Sequence, residues 1–244
     1  MQTFLSTRSI WLTDYRFLND KKELHQGLSS FLTQLPDDQR ASFKRAFRWH
    51  DMWHYQCVFS LSESPKILSQ WRAYASDGTG MAIGFERIFL EHAGIILVDC
   101  RYEEHESYAS ELRVKHAEFL EAVHQASGQH KAENDFMDWI EGNSAGFNAL
   151  CADLIALKNP AFAEEHEVRA VWSRSIREIT LRTAHDLIIP YVAAKIWPDD
   201  ERPTSMAVVV PEIWLGPKCN ELNRIALFAM NMGLSISRHD CGYV

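Results

Sequence analysis

Between His54 and Phe85 the chain reads HYQCVFSLSESPKILSQWRAYASDGTGMAIGF, and its hydrophobic pattern changes period twice. Tyr55, Cys57, Phe59 and Leu61 alternate with Gln56, Val58, Ser60 and Ser62. That two-residue period predicts a strand with large apolar groups on one face and two hydroxyls on the other. Ser64 and Pro65 supply the cap and first residue of a helix that carries Leu68, Trp71, Arg72 and Tyr74. Asp77-Gly78-Thr79-Gly80 then turns the chain, through glycines that permit close backbone approach, into a strand over 81–85. Two serines, a tryptophan, an arginine and a tyrosine gather around one strand end and one helix, which marks a candidate site.

The rest of the pattern frames this stretch. An apolar segment over 4–12 predicts a first strand carrying Arg8. Leu24, Leu28, Phe31 and Leu32 recur at helical spacing after Asn19 and Asp20, either of which can cap, with Glu23 placed to return to the helix start. Pro36-Asp37-Asp38 opens a second helix with Phe43 and Phe47 on one face. His50 and His54 stand four apart, a metal-ligand spacing on a helix, but strand signals interrupt the helix and no third ligand follows. Ile88-Phe89-Leu90 suggests a short helix, and the run over 94–100 a buried strand. From Glu104 to about Leu157 the sequence is helix-rich with a break at Ser127-Gly128-Gln129, predicting an inserted helical hairpin whose Phe119, Leu120, Phe136, Trp139 and Ile140 are packing residues.

The chain returns to the sheet in FAEEHEVRAVW. If 165–172 is extended, Glu165, Glu167 and Arg169 share one face. Two carboxylates and a guanidinium are costly to bury unless paired or used, and an exposed edge strand with a solvated charge row is the competing reading. Further strands are expected over 178–182, 187–191 and 206–216. A helix follows after Asn220, with Leu222, Ile225, Ala226 and Ala229 inside, and 235–238 is expected as an edge strand. Strands and helices mix without regular alternation, so an α+β fold is favoured over a doubly wound sheet, as one domain over 1–244 with a helical insertion at about 104–157.

Composition narrows the class. The 46% hydrophobic content over 244 residues is ample for a large core. Five cysteines without a C-x-x-C pair point to reduced core residues rather than a disulfide framework. The formal charge of −8 disfavours indiscriminate nucleic-acid binding but leaves a local contact open. The opening residues lack a secretory pattern and no run is long enough to span a bilayer, so a cytoplasmic protein is expected, with no membrane partner.

IWLTDYRFLNDKKEL, FSLSESPKILSQWRAYASDGTGMAIGF, FAEEHEVRAVW and PEIWLGP, in that order, resemble the bacterial domain-of-unknown-function 2971 family. Their span is most of the chain outside the helical lobe. That family is in turn distantly similar to the ADP-ribosyltransferase superfamily, which implies a mainly antiparallel split sheet gripping NAD, with peripheral helices. The superfamily pattern is an arginine or histidine on an early strand, a Ser-Thr-Ser-like strand and a later Glu-x-Glu. It falls here on Arg8, on Ser60-Leu61-Ser62 with leucine in the middle place, and on Glu165-His166-Glu167. The resemblance implies that Glu167 stabilises the oxocarbenium-like ribose formed when nicotinamide leaves, and that Glu165 orients or deprotonates the acceptor. Ser60 then positions Glu167, Arg8 meets the pyrophosphate, and Ser62, Trp71, Arg72 and Tyr74 complete the NAD site. It implies NAD as substrate, no metal, and a protein or nucleic-acid acceptor. A toxin or phage-defence setting, with an antitoxin or regulatory protein as partner, goes with it.

Two readings stand beside this one. In the first, Asn19, Asp20, Glu23, Glu165 and Glu167 gather around Mg²⁺ in a hydrolase or nuclease. In the second, the chain is a non-catalytic binding module of a defence or toxin–antitoxin set.

Overall fold

The computed structural model describes residues 4, 7, 9–18, 21–184, 186–195, 212–229 and 235–243. The larger sheet contains β1 (Ser9–Asp14), β2 (His54–Ser62), β4 (Ile96–Asp99), β5 (Glu167–Ser175), β6 (Thr180–Ala184) and β7 (Leu187–Lys195). Their order is β4-β5-β2-β1-β7-β6, antiparallel throughout. A smaller sheet orders β3 (Met81–Gly84), β8 (Glu212–Leu215) and β9 (Ser235–Arg238) as β3-β8-β9, with the last pair parallel. The fold is α+β and mainly antiparallel, as the sequence predicts.

The period of β2 decides what lies on each side of the larger sheet. Cys57 joins Leu12 and Ala170 on one face, with Phe59 and Leu61 packed beside them. Val58 joins Val171 on the other, against Tyr15, Ala152 and Ile155. The second face carries the helical lobe. There α1 (Lys21–Thr33) and α2 (Asp37–Trp53) pack with α5 (His105–Lys115), α6 (Ala117–Gln129), α7 (Glu133–Gly142) and α8 (Ser144–Ile155) around Phe31, Phe43, Phe136 and Phe147. The first face looks toward the smaller sheet and two short helices, α3 (Leu68–Tyr74) and α4 (Arg87–His92), while α9 (Leu222–Ala229) packs Leu227 with Ile213 and Leu215 of the smaller sheet. No helix among the described residues is long and apolar enough to cross a membrane.

Several expectations are corrected. The inserted hairpin is four helices: Ser127-Gly128-Gln129 is the last turn of α6, and the chain also breaks at His116, where no glycine or proline signals it, and at Asn143, just after Gly142. The first strand is Ser9–Asp14 and runs past the expected end at Leu12, because Asp14 still pairs with Cys57 before its carboxylate caps the turn at Tyr15–Phe17; residues 5, 6 and 8 of the expected strand lie outside the described residues. The run over 94–100 shortens to an edge strand whose Ile96 is exposed. Conversely, the stretch after Glu165 is no edge strand, since β5 lies between β4 and β2 and its first five residues are buried. Ser64 accepts from the Lys66 N–H in a turn, and the helix starts only at Leu68. In α9 the inward residue is Leu227, while Leu222 and Ile225 face solvent. The part of the 206–216 strand before Glu212 lies outside the described residues.

Candidate functional site

The two sheets and α3 enclose a cleft of about 670 Å³. Its floor comes from the larger sheet, where Phe59, Leu61 and Val168 line it, and the β2 strand end brings Ser60 and Ser62 to its edge. The register of the smaller sheet sets Ala82 opposite Trp214 and Gly84 opposite Glu212, so these four share a face, and all four line the cleft. On α3, Trp71 is buried and its indole N–H donates to the Pro65 carbonyl at 2.7 Å, while its ring stacks at 6.2 Å from His239. Tyr74, one turn later, is largely exposed on the same wall. The loop after α3 passes through positive φ at Ser76, Asp77 and Gly78. A side chain at Gly216 would meet the Gly78 carbonyl at 2.3 Å, so only glycine lets the loops flanking β3 and β8 close this end.

The charged groups at the cleft are unevenly matched. Glu63 and Arg87 both line it and pair at 3.5 Å, each about half exposed, and Arg87 also pairs with Asp99. Glu212 accepts one hydrogen bond from Ser237 Oγ at 3.1 Å and pairs with no cation among the described residues.

The Glu-x-Glu motif lies elsewhere. The register sets Ser62 opposite Glu167 and Ser60 opposite Arg169, on the face that carries the lobe. Glu165 is not in the strand: it ends a 3-10 turn, Pro160–Glu165, and His166 takes a left-handed conformation (φ 42°) before β5 begins. Lys158 reunites the two carboxylates by pairing with both. Arg169 Nε donates to Glu167 Oε1 at 2.9 Å, and its Nη1 donates to the carbonyls of Ile155 at 2.5 Å and Leu157 at 3.4 Å, around the end of α8. Burial pushes the Glu167 carboxyl up, but the Arg169 guanidinium, the Lys158 ammonium and the Ser60 hydroxyl together hold it below its ordinary value. Burial likewise works against the Lys158 charge, and its hydrogen bonds to Glu165 and Glu167 more than restore it. Two carboxylates thus meet two cations, in a knot that fastens the lobe to the sheet.

Of the residues singled out from the sequence, Trp71 and Tyr74 come together at the cleft, while Ser60 and Ser62 reach only its edge at the β2 strand end, with their side chains on the lobe face. Glu165 and Glu167 join Ser60 in the knot instead, with Ser62 Oγ donating to the Glu165 carbonyl at 2.9 Å. Arg72 is exposed outside the cleft, 3.9 Å from Asp77. Arg8, Asn19 and Asp20 lie outside the described residues, as does the Glu23 side chain. The metal reading therefore retains Glu165 and Glu167, both already engaged by cations. The histidine pair is divided by the end of α2: His50 turns to Asn148, His54 to Glu141, and the two rings stack at 4.6 Å.

Sequence reasoning missed Glu63, Arg87, Glu212 and Trp214 at the cleft, and Lys158 in the knot. The alternation in Glu212-Ile213-Trp214-Leu215 was the available signal for a cleft-facing glutamate and tryptophan.

A family described as Protein of unknown function (DUF2971) matches residues 70–170, so the chain resembles that family. The match runs from α3 to β5 and includes the helical lobe, whereas IWLTDYRFLNDKKEL and PEIWLGP, expected to carry the resemblance, fall outside it. No curated protein and no solved structure matches the chain.

Proposed function

We propose that the chain binds NAD in the inter-sheet cleft, cleaves the nicotinamide–ribose bond and transfers ADP-ribose to a protein or nucleic-acid acceptor. One observation carries this reading: a single cleft of about 670 Å³ is lined at once by aromatic rings, hydroxyls and carboxylates. That volume suits a ligand of dinucleotide size, since small-molecule sites span roughly 300–1,000 Å³. Trp71, Tyr74 and Trp214 offer π-faces to planar bases. Among the described residues that line the cleft, two carboxylates outnumber one guanidinium, which favours the positive charge of oxidised nicotinamide. Arg87, half exposed, meets the pyrophosphate, the role expected of Arg8. The toxin or phage-defence setting and the neutralising partner are carried by the resemblance alone.

The test is incubation of lysate with adenine-labelled NAD and either the native chain or Tyr74→Ala, a change at a side chain 72% exposed that leaves the core intact. Label is expected in macromolecules with the native chain and at least several-fold less with Tyr74→Ala. Folded native protein that neither transfers label nor releases nicotinamide overturns the proposal.

A further inference from the structure

The knot and the cleft assign different work to two glutamates. Glu167 lies on the lobe-facing side of β5 with Lys158 and Arg169 against its carboxylate. A carboxylate already neutralised twice has little field left to stabilise a new cation. Glu212 differs on each count. It lines the cleft, its one hydrogen bond among the described residues comes from a neutral hydroxyl, and no cation pairs with it there. Its cross-strand neighbour is Gly84, where a Cβ would stand 3.4 Å from Glu212 Cβ and 4.0 Å from Oε2. The missing side chain leaves that flank of the carboxylate open. Ser237 sits on the adjacent strand, where its hydroxyl fixes Oε1 and leaves Oε2 for a ligand.

We infer that Glu212 is the catalytic carboxylate of the cleft and that Ser237 positions it. The inference rests on the NAD reading above. The C1′–N bond to nicotinamide breaks with its electron pair leaving on the nicotinamide nitrogen, which becomes neutral, and positive charge passes to the ribose C1′ and ring oxygen. Glu212 faces that charge. A hydroxyl, amine or water of the acceptor class then bonds to C1′, and the proton it loses passes to the Glu212 carboxylate and on to solvent. Glu63, already matched by Arg87 on the cleft edge, has less charge to offer.

Glu212→Gln keeps the shape and the hydrogen bond from Ser237 while removing the charge. NAD affinity by calorimetry and nicotinamide release are to be measured for the native chain, Glu212→Gln, Ser237→Ala and Ser237→Thr, with thermal melting as the check on folding. With Glu212→Gln, affinity is expected within about threefold of native and release slower by about 10²–10³-fold, the usual effect of removing one transition-state contact. Ser237→Ala is expected to lower kcat several-fold with KM unchanged, and Ser237→Thr to restore it. Turnover by Glu212→Gln within about threefold of native, or loss of binding in parallel with turnover, overturns the inference while leaving the NAD reading in place. Native protein that neither binds nor cleaves NAD overturns both.

Discussion

β5 and β2 present the same kinds of residue to two environments, and the two Glu–Arg pairs beside them have come to opposite ends. On the lobe side Glu167 and Arg169 are about 95% buried and share their charges with Lys158 and two helix-end carbonyls. On the cleft side Glu63 and Arg87 are each about half exposed and meet at 3.5 Å, outside good hydrogen-bond geometry. Burial turns a pairing into an obligation, because each ion out of water depends on its partner. Exposure leaves it optional. The same contrast separates a glutamate that holds the fold from one free to meet a ligand.

The sharpest way to break this comparison is at Arg169. Arg169→Leu leaves the buried Glu167 carboxylate with Lys158 as its one cation among the described residues and removes the donor to the carbonyls of Ile155 and Leu157, so a loss of about 3–5 kcal/mol is expected. Adding Glu167→Leu should return much of it, since apolar groups of similar volume often replace a buried pair without cost. Urea midpoints of the single and double variants decide the point. If Arg169→Leu unfolds at the native midpoint, the knot is not structural.

Acid should also act first on the lobe side. His50 is 1% exposed, and burial, with a contribution from stacked His54 and against the pull of Asn148, lowers its pKa to about 3. The unfolded chain takes up a proton near pH 6.5 while the folded chain does not, so stability is full above that pH and falls as pH drops toward 3. Linkage puts the loss at about 2 kcal/mol by pH 5. The depressed Glu167 carboxyl adds a further loss as pH falls through its folded value, below 4.5. Urea midpoints at pH 7 and pH 5 should differ for the native chain and nearly coincide for His50→Gln. Glu141 and His54 face the same cluster, so His54→Gln is the control for their share.

The legible parts of the molecule are those set by local period. Alternation over 55–62 placed Ser60 and Ser62 together and separated them from Phe59 and Leu61, and the structure keeps that division. The Glu-x-Glu pair was legible as a cluster, although not as a shared strand face, because the left-handed turn at His166 carries no glycine to announce it. Lys158 follows the expected end of the lobe at about Leu157, and no local pattern signals that it reaches both carboxylates across the turn at Pro160–Glu165. Glu212 was least legible. Its strand has four residues, and it depends on Gly84 far upstream and on Ser237, 25 residues later. Pairings of that separation are fixed by tertiary packing, for which a local pattern has no signal.

Two smaller effects sharpen the comparison from the cleft. Trp71→Phe removes the indole donor to the Pro65 carbonyl, with an expected loss of about 1 kcal/mol in urea unfolding and weaker NAD binding on the same wall. The smallest effect is expected at Glu63 and Arg87. Their coupling in a double-mutant cycle with alanine should be below about 0.5 kcal/mol, because each head group is about half in water and the contact is long. Asp99, which also pairs with Arg87, must be intact in all four proteins, or its contribution is counted twice. A coupling as large as that expected for Glu167 and Arg169 removes the distinction between the two faces. A near-zero coupling, with NAD affinity falling in Arg87→Ala, means that the exposed arginine is available for ligand phosphate because the fold does not depend on it.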